Sequence, residues 1–308
     1  MTGERPRAIL IAGPTASGKT ALAVDLARRL GGEVVNADAM QVYRELSILT
    51  ARPTEAEMDG VPHHLFGHVP AAEGHTVARW LDEAAAAIAD IRGRGRVPVV
   101  VGGTGLYFTA LTKGLSAVPP VDPAIRADLR ARLAGEGAPA LHDLLAARDP
   151  AMAARLGRND GQRILRALEV EASTGRSLLA WQAETGAPVL AWDERIGVVL
   201  APERLVLHQR IARRFAAMVD AGGIAEAAAF AALRLDPALP AMKAIGVPEM
   251  IAAAEGRRPL EEAIGDAVTA TRRYAKRQET WFRNQFADWS RLETGGADDL
   301  AGAIVRLV

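Results

Sequence analysis

Gly13-Pro-Thr-Ala-Ser-Gly-Lys-Thr20 constrains this chain more than any other segment. It fits G-x-x-x-x-G-K-[ST] at every fixed position, directly after the apolar run Ala8–Ala12 and before Leu22, Leu26 and Leu30 at a spacing of four. A short apolar run reads as a strand buried on both faces, and the leucine stripe as one face of a helix. Glycines between them let the backbone curl until consecutive N–H groups and the helix N-terminus face a phosphate oxygen. Gly13, Pro14, Thr15, Ala16, Ser17, Gly18, Lys19 and Thr20 are therefore the expected diphosphate cradle. Lys19 adds a mobile positive charge, and the Thr20 hydroxyl is the expected Mg²⁺ ligand.

Strand and helix signals keep alternating through the first hundred residues. Gly31-Gly32 ends the first helix, Glu33 to Ala37 reads as a second strand, Trp80 to Ile91 as an alanine-rich helix and Val97 to Val101 as another buried strand. This repetition predicts an α/β fold, a P-loop NTPase-like parallel sheet flanked by helices. The pattern changes near Gly114. Leu115 to Pro123 is rich in proline, helical periodicity follows to about Asp193, and Ile196 to Leu200 returns to the sheet before helices run to about Phe286. The expected organisation is a core of residues 1–114 and 195–308 carrying a helical insert over 115–194.

Nearly half of the 308 residues are apolar, so a large core needs no staple. The absence of cysteine excludes disulfides and thiolate-bound zinc, and fits a reducing compartment. The run Ala8–Ala12 is too short for a signal sequence or a span, so a soluble cytoplasmic protein with no membrane partner is expected. A monomer is the expected state. Lys+Arg and Asp+Glu both total 37, yet the charges are segregated. Basic clusters occur at Arg155, Arg158, Arg163 and Arg166, at Arg204 to Arg214, and at Arg272 to Arg283; each reads as a solvated helix face or a nucleic-acid contact.

Hydrolases with this loop place an aspartate at the end of a buried strand to hold magnesium and orient water. Here Val97–Val101 runs into Gly102-Gly-Thr-Gly105, and the acid at a strand end near the loop is Asp38, which favours a transferase over a motor or switch. Asp38-Ala-Met-Gln-Val-Tyr43 puts a carboxylate, an amide and a phenol at the carboxyl edge of the sheet, where open α/β folds bind ligands. Asp38 reads as a proton acceptor, with magnesium ligation or helix capping as alternatives. The Gln41 amide matches the donor and acceptor of an adenine edge, against plain packing for it and Tyr43. His63, His64 and His68 lie in a loop without a carboxylate at ligand spacing, so no metal site is read there. Trp181, Trp192, Trp281 and Trp289 read as core or interface packing rather than stacking platforms.

Taken together, GPTASGKT at 13–20, DAMQVY at 38–43, Pro62-His-His-Leu65 and VGGTGLYF at 101–108 resemble the tRNA dimethylallyltransferases. Arg163–Val170, Leu207–Ile211, Lys243–Gly246 and Lys276–Trp281 extend the resemblance to about residue 283. It implies transfer of a dimethylallyl group from dimethylallyl diphosphate to N6 of the adenine at tRNA nucleotide 37. By the same resemblance Asp38 is the general base, Arg214 stabilises the departing diphosphate, and Thr104 belongs to the catalytic pocket. Segments matching tRNA contacts are Asp38, Ala39, Met40 and Gln41, then Gln162, Arg163, Ile164, Leu165 and Arg166, and Lys243. The insert and basic helices are expected to clamp the anticodon stem-loop, mainly through phosphates. Ala39 stands where the family has serine, Leu49 and Arg52 replace glycine and lysine, and Pro248 replaces a basic residue. An adenylate prenyltransferase, a small-molecule kinase and a nucleotide-gated RNA-binding module are the rival readings.

Overall fold

The computed structural model describes residues 7–293 and 300–306. Its centre is a six-stranded sheet in the order β3-β2-β4-β1-β5-β6, parallel throughout. The strands are β1 (Ala8–Ala12), β2 (Glu33–Asn36), β3 (His63–His64), β4 (Pro98–Gly102), β5 (Arg195–Leu200) and β6 (Ser290–Leu292). Ile9 pairs with Val99 on one side and with Ile196 on the other, so β1 sits inside the sheet. Every residue of β1, β2 and β4 is buried, as the apolar runs of β1 and β4 predict, and β2 buries Glu33 and Asn36 as well.

Alternation along these strands divides the core in two. Ile9, Ile11, Val99 and Val101 pack with Leu22 and Leu26 of helix α1 (Lys19–Leu30). Leu10, Val35 and Val100 share the opposite cluster with Trp80 and Ile88 of α2 (Val77–Gly93) and Phe108 of α3 (Gly105–Lys113). Helix α1 stops at Gly31, which takes φ 61° and donates its N–H to the Ala27 carbonyl. Helix α2 starts earlier than its alanine-rich stretch, at Thr76, whose hydroxyl accepts the Arg79 N–H. Sequence periodicity misses β6, because three residues with two exposed carry no alternation to read.

A third cluster lies among α4 (Arg204–Met218), α5 (Ile224–Ala232), α6 (Val247–Ala254) and α7 (Leu260–Gln285), and includes Ile211, Phe215, Phe230, Met250 and Ala267. Tyr43 is completely buried in this cluster, so its phenol is a packing group and not a wall of the ligand edge. The segment Arg204–Ala232 is long and apolar enough to cross a membrane by length and composition alone. Its Leu207, Ile211, Phe215, Ala227 and Phe230 are buried in that cluster, and Gly222 at φ 100° interrupts it.

By compactness the chain separates into residues 1–112 with 189–308, and residues 113–188. The second unit is helical, with a helix over Pro123–Arg148 kinked at Gly137 (φ 80°) and another over Gly161–Thr174. Leu141, Leu145, Ile164 and Leu168 are fully buried in its own core. That corrects one expectation: Ile164 and Leu165 are core residues, so their side chains are withdrawn from any RNA. Residues 161–174 form an amphipathic helix, and these two lie on its apolar face while Gln162 and Arg163 are exposed.

Candidate functional site

The loop between β1 and α1 has the left-handed turns a phosphate cradle needs, at Ala16 (φ 62°) and Gly18 (φ 91°). Lys19 Nζ donates to the Pro14 carbonyl at 3.2 Å, closing the loop on itself. Burial lowers the Lys19 pKa to about 8, with Asp38 opposing the shift and Arg214 adding to it. The Thr15 N–H donates to Gln278 Oε1 at 2.9 Å, and Gln278 Nε2 donates to the Gly103 carbonyl at 2.9 Å. Gln278 on α7 therefore ties the phosphate loop to the loop after β4. A Cβ on Gly103 would collide with that amide, and one on Gly105 with the Trp281 indole. Gly103 and Gly105 thus serve close packing of α7, whereas a Cβ on Gly102 would strike the Ala37 backbone.

Asp38 is fixed by Asn36, which is wholly buried. The Asn36 amide nitrogen donates to the carbonyls of Asp38 and Leu65, each at 3.0 Å, and its oxygen accepts the Asp38 N–H at 2.8 Å. Asp38 Oδ1 accepts the Met40 N–H at 3.0 Å. Thr104 donates its N–H to the Ala37 carbonyl at 3.1 Å, and its hydroxyl oxygen accepts the Ala39 N–H at 2.9 Å. The Tyr274 phenol, hydrogen-bonded to Thr104 and Gln278, has its pKa pushed up by burial and by the Asp38 charge. Arg214 donates to Thr15 Oγ at 3.4 Å and to the Ala51 carbonyl at 3.3 Å; burial lowers its pKa while Asp38 opposes.

Two cavities meet at these residues. One, of about 820 Å³, is lined by Gly18, Lys19, Thr20, Arg52, Arg210 and Arg214. The other, of about 330 Å³, runs along Leu49, Ile211, Phe215, Met218 and Ile245, with Thr104, Tyr274 and Lys243 on its polar side. Thr15, Ala16, Asp38 and Arg214 line both. A cationic phosphate cavity and an apolar-walled one thus share a carboxylate and a guanidinium. Thr20 and Asp38 offer hard oxygens beside the phosphate loop, a donor set that fits Mg²⁺.

The remaining expected residues fall out unevenly. Ala39 and Met40 line the apolar-walled cavity, as does Lys243. Gln41 lines the phosphate cavity, but its amide nitrogen donates to the Thr50 and Ala51 carbonyls at 3.0 and 2.9 Å. Its donors are used inside the fold, so the paired donor-and-acceptor reading of an adenine edge does not hold for it. Arg163 is 67% exposed with Asp160 at 3.4 Å, Arg158 pairs with Asp143 at 2.7 Å, and Arg166 has Glu169 at 4.0 Å. The arginine cluster of residues 155–166 is thus partly neutralised within its own unit. By contrast, the two other clusters combine. Arg204 and His208 of α4 and Arg272, Arg273, Lys276 and Arg283 of α7 line one groove, with Glu279 as the acid among them.

Sequence reasoning gave no role to Gln278, Tyr274 or Glu226. Gln278 sits within Lys276–Trp281, so its signal was present as a matching segment without a function. Glu226 accepts the N–H groups of Ser47, Ile48 and Leu49 at 2.7 to 2.9 Å, and the Ser47 hydroxyl at 2.9 Å. It holds the segment that supplies Leu49, Thr50 and Ala51 to the cavities. Trp192 is 65% exposed, so it is not a core residue.

Residues 41–285 match the family described as IPP transferase. The tRNA dimethylallyltransferase of Agrobacterium fabrum is 52% identical over 287 residues, covering 93% of this chain and 96% of that protein. The crystal structure of the full-length tRNA isopentenylpyrophosphate transferase of Bacillus halodurans is 39% identical, covers 98% of this chain and 94% of its own, and superposes with a TM-score of 0.70. A eukaryotic dimethylallyltransferase captured acting on tRNA is 29% identical, covers 96% and 75% respectively, and has a TM-score of 0.79.

Proposed function

This chain belongs to the IPP transferase family of tRNA dimethylallyltransferases, and on that premise we propose that it transfers a dimethylallyl group from dimethylallyl diphosphate to N6 of the adenine at tRNA nucleotide 37. It is a prenyl-transferring enzyme that acts on tRNA. The observation that carries the finer reading is the sharing of Asp38 and Arg214 by the two cavities. A diphosphate held by the loop and a base entering from the other side would meet there.

In this reading the N–H groups of Gly18, Lys19 and Thr20 at the start of α1 and the Lys19 ammonium bind the diphosphate, and a Mg²⁺ held by Thr20 would supply further positive charge. The allylic C–O bond breaks with its electron pair going to the diphosphate, and Arg214 meets that growing charge. Leu49, Ile211, Phe215 and Met218 exclude water from the allyl cation. The N6 lone pair forms the new C–N bond, and the N6 proton passes to Asp38. Thr104 acts as a positioning residue, since its hydroxyl holds the Ala39 N–H next to that base. The adenine must leave its stack to reach Asp38. The groove between α4 and α7 offers phosphate contacts to the anticodon stem-loop, and the exposed Arg163 offers another. A cytoplasmic monomer completes the reading.

The test is incubation with labelled dimethylallyl diphosphate or ATP, each offered tRNA or AMP. Label moving from the prenyl donor into tRNA supports the assignment. Label in AMP instead identifies a free-nucleotide prenyltransferase, and phosphate transfer from ATP removes the proposal.

A further inference from the structure

Far along the chain from the phosphate loop, two imidazoles and a carboxylate converge. His68 Nε2 lies 2.9 Å from Glu83 Oε2, and His75 Nε2 lies 3.0 Å from the same oxygen. The three donor atoms are all within 4.8 Å of one another. The histidine rings stand at 88° with centroids 5.7 Å apart, so both Nε2 atoms approach the carboxylate without stacking. The chemistry in the catalytic reading uses none of the three. The loop of His63, His64 and His68 has no carboxylate at ligand spacing in sequence, yet the fold supplies two: Glu33 for His64 at 2.7 Å and Glu83 for His68.

We propose that His68, His75 and Glu83 form a binding site for a divalent transition-metal ion of the zinc class. The donor set carries the choice of ion. Two imidazole nitrogens and one carboxylate oxygen suit Zn²⁺ and its neighbours, whereas Mg²⁺ and Ca²⁺ take oxygen ligands. Around an ion at about 2.0–2.1 Å from each ligand, donor atoms sit roughly 3.3 Å apart, so the two histidine–carboxylate distances need to open by only a few tenths of an ångström.

The surroundings are those of ligands held in place. The His75 side chain is 1% exposed, while His68 and Glu83 are 29% and 25% exposed, which leaves a solvent side for a water as fourth ligand. Arg79, one helical turn before Glu83, donates to Glu83 Oε1 at 2.9 Å and so turns Oε2 toward the histidines. Its positive charge opposes a cation, but that side chain is 43% exposed and also paired with Glu73. Behind His75, the Tyr107 hydroxyl lies 3.5 Å from Nδ1, and the Tyr107 ring stacks on Trp80 at 4.1 Å. Carboxylate and neutral imidazole are the ligating forms. Binding releases or relocates the two Nε2 protons now directed at Oε2, because each nitrogen gives its lone pair to the metal.

The site would pin the loop carrying His68 and His75 onto α2, whose Trp80 in turn packs on α3. The role is a clamp on one wall of the sheet rather than a part of the prenyl transfer.

The test uses the full-length protein stripped with chelator and kept in excess Mg²⁺, so that the phosphate loop does not compete. Zn²⁺ and Co²⁺ are titrated as simple salts, with His68→Ala, Glu83→Gln and the control His64→Ala in parallel. One-to-one Zn²⁺ binding, tetrahedral Co²⁺ absorption and a raised Tm are expected for the native and His64→Ala proteins. Affinity should fall by about 100-fold or more in the other two. No saturable binding by the native protein, or equal binding by His68→Ala and Glu83→Gln, overturns the proposal. Anomalous diffraction from a zinc-soaked crystal decides independently of variant folding: a peak between His68 and Glu83 supports the site, and a peak only elsewhere refutes it.

Discussion

The Thr15 N–H in the phosphate loop and the Gln278 side-chain oxygen on α7 are joined by a 2.9 Å hydrogen bond across 263 positions of sequence. The same amide reaches Gly103 after β4, so one side chain sets the spacing of the two loops that flank Asp38. Gln278→Leu keeps the bulk but leaves a backbone donor and acceptor without this partner, at about 1–3 kcal/mol for each one left buried. A lower Tm and a lower kcat/KM for the prenyl donor are expected, with the salt dependence of tRNA binding unchanged. Wild-type kinetics in this variant would show that the spacing is set elsewhere.

Asp38→Asn keeps an acceptor for the Met40 N–H and removes the proton acceptor. Turnover should fall by about 10²–10⁴-fold, the usual range for a positioned general base. Diphosphate affinity, measured by calorimetry, should stay within a few fold. An equal loss of donor affinity would instead place Asp38 among the magnesium ligands.

Lys19 gives donor binding a pH dependence. Its pKa of about 8 in the free protein lies below the ordinary 10.5, so the ammonium is lost as pH rises through 8. Diphosphate binding favours the charged form, and affinity should weaken above about pH 8 by up to about tenfold per pH unit. Stability of the unliganded protein runs the other way. The unfolded chain binds the proton up to pH 10.5, so the Lys19 contribution rises between about pH 8 and 10.5. Calorimetric titrations of inorganic diphosphate across this window check the first sign, and denaturant melts check the second.

Glu226 fastens residues 47–49 through four hydrogen bonds. Hydrogen bonds to a charged group are worth about 1.5–3 kcal/mol each, though not additively. Glu226→Ala should lower Tm and raise KM for donor and tRNA together, because Leu49 and Thr50 line the cavities. A change confined to kcat would contradict this.

Within the insert, neighbouring residues should separate cleanly. Ile164→Ala removes a fully buried side chain and should destabilise the unit by about 2–5 kcal/mol, leaving the salt slope of tRNA binding intact. Arg163→Ala should hardly change stability and should reduce that slope by about one. Filter binding across a salt series, alongside urea melts, distinguishes them. Arg163→Ala binding tRNA with the native slope would remove this face from the interface.

The sequence alone determined the β1–loop–α1 unit, the parallel sheet and Asp38 at its edge. These rest on local rules: unbroken apolar runs, a leucine stripe, and glycines where the chain turns left-handed. It also carried the family, through segments whose order persists from one end of the match to the other. Tertiary structure alone decided which side chains were free to act. Tyr43 is core, Gln41 has its amide donors inside the fold, and Ile164 and Leu165 turn away from solvent, because burial and pairing depend on what distant elements bring alongside. For the same reason Gln278 meets Thr15, and Glu83 meets His68 from fifteen residues further along the chain. Packing a chain into a volume makes neighbours of residues whose separation along it carries no information about distance.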